Sequence, residues 1–207
     1  MPLVGWLVLR GKCRTCGAKI DPLHPLVEVL AAAVGALCLW LSPDECGAAL
    51  ALFGWLLLLA AALDARHFWL PHMLSLLIGV AGLAIGGVAM SAVGIDVTLI
   101  DRAIGAAAGF AGLWLLATAY RLIRKREGLG GGDAPFLAAI GAWTGWQILP
   151  LVLLFAAVAG LAVAAARLVT SGKAASDIGS QALPFGTLLA IAVPLALAIG
   201  AILLPHG

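Results

Sequence analysis

Seven apolar runs, at roughly residues 25–41, 47–64, 73–93, 102–120, 134–149, 150–168 and 185–204, fill most of this 207-residue chain and leave it few folds. Several reach the roughly 20 residues that a helix needs to cross a hydrocarbon core. In lipid every backbone N–H and C=O must be paired within the protein, which restricts spanning segments to helices or closed barrels. Hydrophobic residues make up 63% of the sequence and charged residues 11%, more apolar surface than a soluble core of this size could hide. The expected fold is an all-α, polytopic integral membrane helical bundle of about seven transmembrane or partly inserted helices. The fifth run is short and carries Thr144 and Gln147, so it is expected to enter part way or to be buried among its neighbours. VGWLVL near the start has no small-residue cleavage site after it, so insertion rests on the helices themselves.

Charge orients the bundle. If the runs alternate, Arg10, Lys12, Arg14, Lys19, Arg66, Arg121, Arg124, Lys125, Arg126, Arg167 and Lys173 share one side, and only Arg102 falls on the other. By the positive-inside rule the basic side is cytoplasmic. Asp44, Glu45, Asp96 and Asp101 lie opposite, so the net charge of +2 conceals an asymmetry and calls for no nucleic-acid partner. Residues 1–24 read as a cytoplasmic amino-terminal segment, and 25–207 as a membrane-embedded domain. The tryptophans, Trp143 and Trp146 among them, mostly read as an aromatic belt near helix ends.

Two aspartates stand out because each lies where an apolar run meets the basic side: Asp64 in ALDARHFWLPHML and Asp133 in EGLGGGDAPFLAAIG. An acid at mid-bilayer costs roughly 2.5–3.5 kcal/mol on insertion scales, so such acids face a protein interior or a wet cavity. Two carboxylates sharing a site cannot both ionise easily, and this suits them to acid and base chemistry. From the helix ends, Asp133 is expected to N-cap its helix and act as base, and Asp64, at a helix C-terminus, to act as acid. Gly130, Gly131 and Gly132 leave the backbone beside Asp133 open to an extended substrate strand.

Four blocks in order resemble the type IV prepilin leader peptidases, membrane aspartic peptidases of the GxGD type. They are LRGKCRTCGAKIDPLHPLVEVLAA, LDARHFWLPHML, GLGGGDAPFLAAIGAWTGW and LPFGTLLAIA. The resemblance implies that Asp64 and Asp133 are the catalytic pair, with Gly130, Gly132, His72, Pro184, Phe185 and Gly186 supporting the site or binding substrate. It implies removal of the leader from type IV prepilins or type II secretion pseudopilins at the cytoplasmic face of the bacterial inner membrane, with no cofactor for proteolysis. It also links Gly11, Lys12 and Glu28 to methylation of the new amino terminus with S-adenosylmethionine. Cys13 and Cys16 match a zinc knuckle, but two thiols do not make up the four ligands of a structural zinc site.

The chain departs from the family pattern at His72, where an acid is usual, at Pro135, where a lysine is usual, and at Thr187, where a proline is usual. It also starts after the family's first membrane helix and first CxxC. A catalytically weakened interaction protein is the first alternative, and both retained aspartates argue against it. A small proton-coupled transporter is the second. That reading wants acids near mid-bilayer and symmetry between halves, and the sequence shows neither.

Overall fold

The computed structural model describes residues 2–125, 130–171 and 184–203. Among these residues eight helices follow one another: α1 (Pro2–Val8), α2 (Leu23–Leu41), α3 (Glu45–His67), α4 (His72–Ser91), α5 (Leu99–Arg124), α6 (Asp133–Thr144), α7 (Leu149–Ser171) and α8 (Phe185–Leu203). Six of them, α2 to α5 with α7 and α8, are long and apolar enough to cross a membrane. Arg126, Lys173 and residues 128 and 129 of the glycine run lie outside the described residues.

Local chemistry sets the helix ends. Asp44 starts α3 by accepting from the Cys46 and Gly47 N–H groups. Thr98 starts α5 through a reciprocal cap with Asp101, a device worth about 1 kcal/mol. Pro71 precedes α4, where a missing N–H costs no helical bond.

The short fifth run becomes α6, which has 12 residues and so spans about 18 Å, well under the roughly 30 Å of a bilayer core. Ten of its twelve residues are buried. Lipid tails are as apolar as leucine, so helices in a bilayer associate through close packing, for which small residues are needed. On α4, Gly82 and Gly86 supply that surface. A Cβ on Gly82 would stand 2.5 Å from Trp143 Cδ1, and one on Gly86 3.0 Å from Trp143 Cα. On α5, a Cβ at Gly105 would lie 2.5 Å from the Gly141 carbonyl oxygen, and one at Gly109 2.7 Å from that of Leu137. A Cβ on Gly141 would overlap the Gly105 carbonyl in return. In this register α6 runs parallel to α4 and antiparallel to α5.

Trp143 belongs to no aromatic belt. It is fully buried on α6, stacked on Phe53 of α3 with ring centroids 4.6 Å apart, and its indole N–H donates to the Ile78 carbonyl of α4 at 2.7 Å. One side chain thus joins three helices. The position opposes the belt expectation because its segment is surrounded by protein and meets no lipid interface.

The far end of α6 is held by polar groups. Asp101 accepts from Trp146 Nε1 at 3.2 Å and Gln147 Nε2 at 3.3 Å, tying the turn after α6 to the start of α5. Arg102, the exception to the charge pattern, is buried and donates to the Gly82 and Leu83 carbonyls at 2.8 and 2.9 Å. Its placement serves α4 and α5 packing.

Because backbone lies directly across from Gly105 and Gly141, neither can gain a methyl without parting the helices. Gly105→Ala and Gly141→Ala are each expected to lose about 1–3 kcal/mol of stability, read as an earlier thermal unfolding transition in detergent. Gly112→Ala, whose Cβ would meet nothing within 4 Å, should leave that transition unmoved.

Candidate active site

Three segments from separate parts of the chain meet at one end of the bundle: the end of α3, the start of α6 and the start of α8. Asp64 lies on the last turn of α3 and is 5% exposed. Its Oδ2 accepts from the Thr187 N–H at 2.7 Å and sits 3.0 Å from the Thr187 hydroxyl. That hydroxyl is also 3.1 Å from the Ala61 carbonyl oxygen, so its single proton serves two acceptors. Thr187 is the third residue of α8, and the first N–H groups of a helix have no partner inside it. The start of α8 therefore points an unused donor and the positive end of its dipole at Asp64.

Asp133 is also 5% exposed, and its Oδ2 accepts from the Gly130 N–H at 3.0 Å. The structure corrects the expected N-cap: Gly132 holds that position and Asp133 is the first helical residue, its carboxylate turned back onto the glycine run. Burial, and next the charge of Asp64, raise the Asp133 carboxyl from 3.8 to about 6, against the opposing pull of the Gly130 N–H. Pro135 follows within the first turn, where it breaks no hydrogen bond.

Gly186 packs on Asp64. A Cβ there would come within 3.1 Å of the Asp64 carboxylate and would overlap Leu70 Cδ1. Gly132 likewise has Leu70 against it, with the Leu70 Cβ and carbonyl oxygen each 2.9 Å from where its own Cβ would be. Pro184 precedes α8, its carbonyl accepting from the Leu188 N–H at 3.3 Å, and Phe185 packs against the core. His72 opens α4 and is exposed, and no hydrogen bond joins it to either aspartate among the described residues.

Most of the site was named from sequence, but Thr187 was read only as a departure and Leu70 was not singled out. A hydroxyl three residues into a helix start is a detectable signal once that start is known to face a carboxylate. Leucine in an apolar sequence carries none.

The amino-terminal segment is separate. Cys13 and Cys16 lie in a tight turn bounded by the Cys13 N–H to Ala18 carbonyl bond at 2.8 Å, with Gly17 in a left-handed conformation. Backbone N–H groups of Cys16 and then Thr15 face the Cys13 sulfur and hold its thiol below the ordinary value. Among the described residues no third His, Cys, Asp or Glu joins them, so the two thiols do not fit a complete zinc site. Gly11 is packed on the Trp6 indole, Lys12 is exposed and its backbone pairs antiparallel with that of Lys19, and Glu28 is half-buried on α2. An ion pair between Asp21 and Arg66 at 2.7 Å ties this segment to α3 two residues beyond Asp64.

With that geometry in place, comparison with known proteins is decisive. Residues 50–165, more than half the chain, match the sequence model of the Type IV leader peptidase family. The chain belongs to this family. Residues 1–42 match the Bacterial Peptidase A24 N-terminal domain. A prepilin leader peptidase/N-methyltransferase of Aeromonas hydrophila is 39% identical over 97% of this chain and 66% of its own length. Proteins of the same name from Burkholderia pseudomallei (strain K96243) and Pectobacterium carotovorum subsp. carotovorum are 40% and 39% identical, each over 92% of this chain and over 59% and 66% of their own lengths. The chain thus spans about two thirds or less of these leader peptidases. No solved structure matches it significantly.

A raised carboxyl has a stability consequence. Asp133 binds its proton more tightly folded than unfolded, so its contribution is fully present below about pH 4 and is lost as pH rises through about 6. Asp133→Asn keeps the shape and removes the charge. It should stabilise the fold by roughly 3 kcal/mol above pH 6 relative to its effect below pH 4, measured by thermal unfolding at pH 3.5 and 7.5.

Proposed function

We propose that this chain is a membrane aspartic endopeptidase that removes the leader of type IV prepilins or type II secretion pseudopilins through Asp64 and Asp133. Its active site would lie on the cytoplasmic side of the bacterial inner membrane. The observation that carries the reading is the meeting of two buried carboxylates from distant motifs, each held by a backbone donor and each beside a glycine where a side chain would press on it. The topology rests on the basic residues, which gather at the ends of α3, α5 and α7 and in the amino-terminal segment, the same end as the aspartates.

In this reading the hydrogen bonds favour the reverse of the roles expected from the sequence. Asp64 Oδ2 accepts from the Thr187 N–H and hydroxyl, donors that suit it to the part of base, whereas burial raises Asp133 and suits it to supply the proton. Asp64 takes a proton from a water as that water attacks the peptide carbonyl, and Asp133 gives its proton to the carbonyl oxygen. The proton then held by Asp64 goes to the departing amine as the C–N bond breaks, and Asp133 takes a proton back from one hydroxyl of the diol, which leaves the carboxylic acid product and returns the pair to its starting state. The site's apparent ionisations belong to the pair.

The relatives' names add an N-methyltransferase activity. The segment that carries Gly11, Lys12 and Glu28, which matches the Bacterial Peptidase A24 N-terminal domain, is the part of this chain that would take S-adenosylmethionine if methylation accompanies cleavage.

Purified protein in lipid, incubated with a prepilin and followed by mass shift, tests the reading. Asp64→Ala and Asp133→Ala should each cut leader removal by at least about 100-fold, the lower end of what a positioned acid or base contributes. Cleavage near wild-type by either folded variant overturns the dyad. Because Asp133 must be protonated, kcat/KM should fall above a midpoint near pH 6. Thr187→Val keeps the N–H and loses the hydroxyl, and should lower kcat about tenfold, in keeping with roughly 1.5–3 kcal/mol for a hydrogen bond to a charged group. Thr187→Ser should stay within about twofold.

A further inference from the structure

Leu70 is 3% exposed, although Phe68 and Trp69 before it are 55% and 62% exposed. The turn that carries it is fixed on both sides. Phe68 closes α3 in a left-handed conformation with its N–H on the Asp64 carbonyl at 2.8 Å, and Pro71 starts α4. A bulky residue at positive φ stores strain and persists only where its surroundings hold it. This turn is therefore built to drive one side chain inward.

Leu70 there touches both halves of the site. On one face lies Gly132, the residue before Asp133, and on the other Gly186, which itself abuts the Asp64 carboxylate. The side chain has no polar atom, so what it contributes is volume. We propose that Leu70 is a positioning residue, a spacer between the starts of α6 and α8 that sets the separation of the two carboxylates.

The proposal rests on the peptidase reading, and the contacts give it an asymmetric test. The overlap of a methyl at Gly186 is with Leu70 Cδ1, an atom that Leu70→Ala removes, while the 3.1 Å approach to the Asp64 carboxylate remains and keeps the rescue partial. The clash at Gly132 is with the Leu70 Cβ and carbonyl oxygen, which alanine keeps. Leu70→Ala alone should lower kcat at least tenfold with KM changed less than twofold, since a shift of about 1 Å in reacting groups can cost 100-fold. Gly186→Ala and Gly132→Ala should each lose most activity. Adding Leu70→Ala should recover at least tenfold for Gly186→Ala and nothing for Gly132→Ala. A spacer role is overturned by wild-type kcat in Leu70→Ala, by failure to rescue Gly186→Ala, or by equal rescue of both glycine variants. If Leu70→Ala does not fold, Leu70→Val, which also lacks Cδ1, takes its place in the same comparison.

A second readout needs no catalysis. With Cys13, Cys16, Cys38 and Cys46 changed to serine, Asp64→Cys and Asp133→Cys are cross-linked with bis-methanethiosulfonate reagents of graded span, with Leu70 and with its smaller variant. The span of greatest yield should change between the two, and an unchanged span overturns the spacer. A changed span in a protein that cleaves no prepilin would leave the spacer standing and remove the peptidase reading.

Discussion

Everything at the site depends on keeping a 12-residue helix away from lipid. Alone, α6 would leave its terminal N–H and C=O groups in a medium without water, each at a cost of several kcal/mol. The bundle solves this with backbone laid on backbone. Gly105 faces Gly141, Gly82 and Gly86 face Trp143, the Thr144 hydroxyl and the Gly145 N–H serve the Ile140 and Gly141 carbonyls, and the hydrogen bonds of Asp101 and Gly130 fix the turns on either side of the helix. Since association of helices in lipid has little hydrophobic drive, these close approaches and the Trp143 contacts hold the platform on which Asp133 is displayed.

Asp64 and Asp133 are distinguished by the helices that face them. Each sits near a helix end of its own, but Asp64 also receives the start of α8, and that second helix supplies its hydrogen-bond donors. Proline at position 187 would have no N–H and no hydroxyl to offer. Thr187 thus turns what looked like an erosion of the family pattern into a pair of donors. Pro135 supplies nothing comparable for Asp133, which is left with one N–H and an unfavourable neighbouring charge.

Hydropathy was enough to read the six spanning helices and the odd fifth segment, because burial in lipid writes its length directly into the sequence. The aspartates were legible because acids are costly in such runs. Geometry between segments was not. The N-cap given to Asp133 failed because the glycine run curls back and supplies its own cap position at Gly132. Trp143 was misplaced because the belt pattern assumes that a helix end meets the interface. Arg102 was legible as the basic residue on the opposite side, but not its burial on two carbonyls of α4. Each of these depends on which surface lies opposite, and residues far apart in sequence decide that.

The α5–α6 register also sets a depth. With Gly105 beside Gly141 and Gly109 beside Leu137, continuing by one more turn brings Leu113 level with Asp133. Helix α5 runs on to Arg124, and Arg121 stands eight residues, or about 12 Å, past that level. Leu115, Leu116, Leu122 and Ile123 on this overhang are exposed and apolar, as a surface in hydrocarbon would be. Asp133 therefore starts its helix about 12 Å short of the first basic residue of α5, behind an apolar collar of α5 side chains. For the proposed activity that collar has a consequence: a peptide would have to leave water to pass it, so access would be a partition step as much as a binding step.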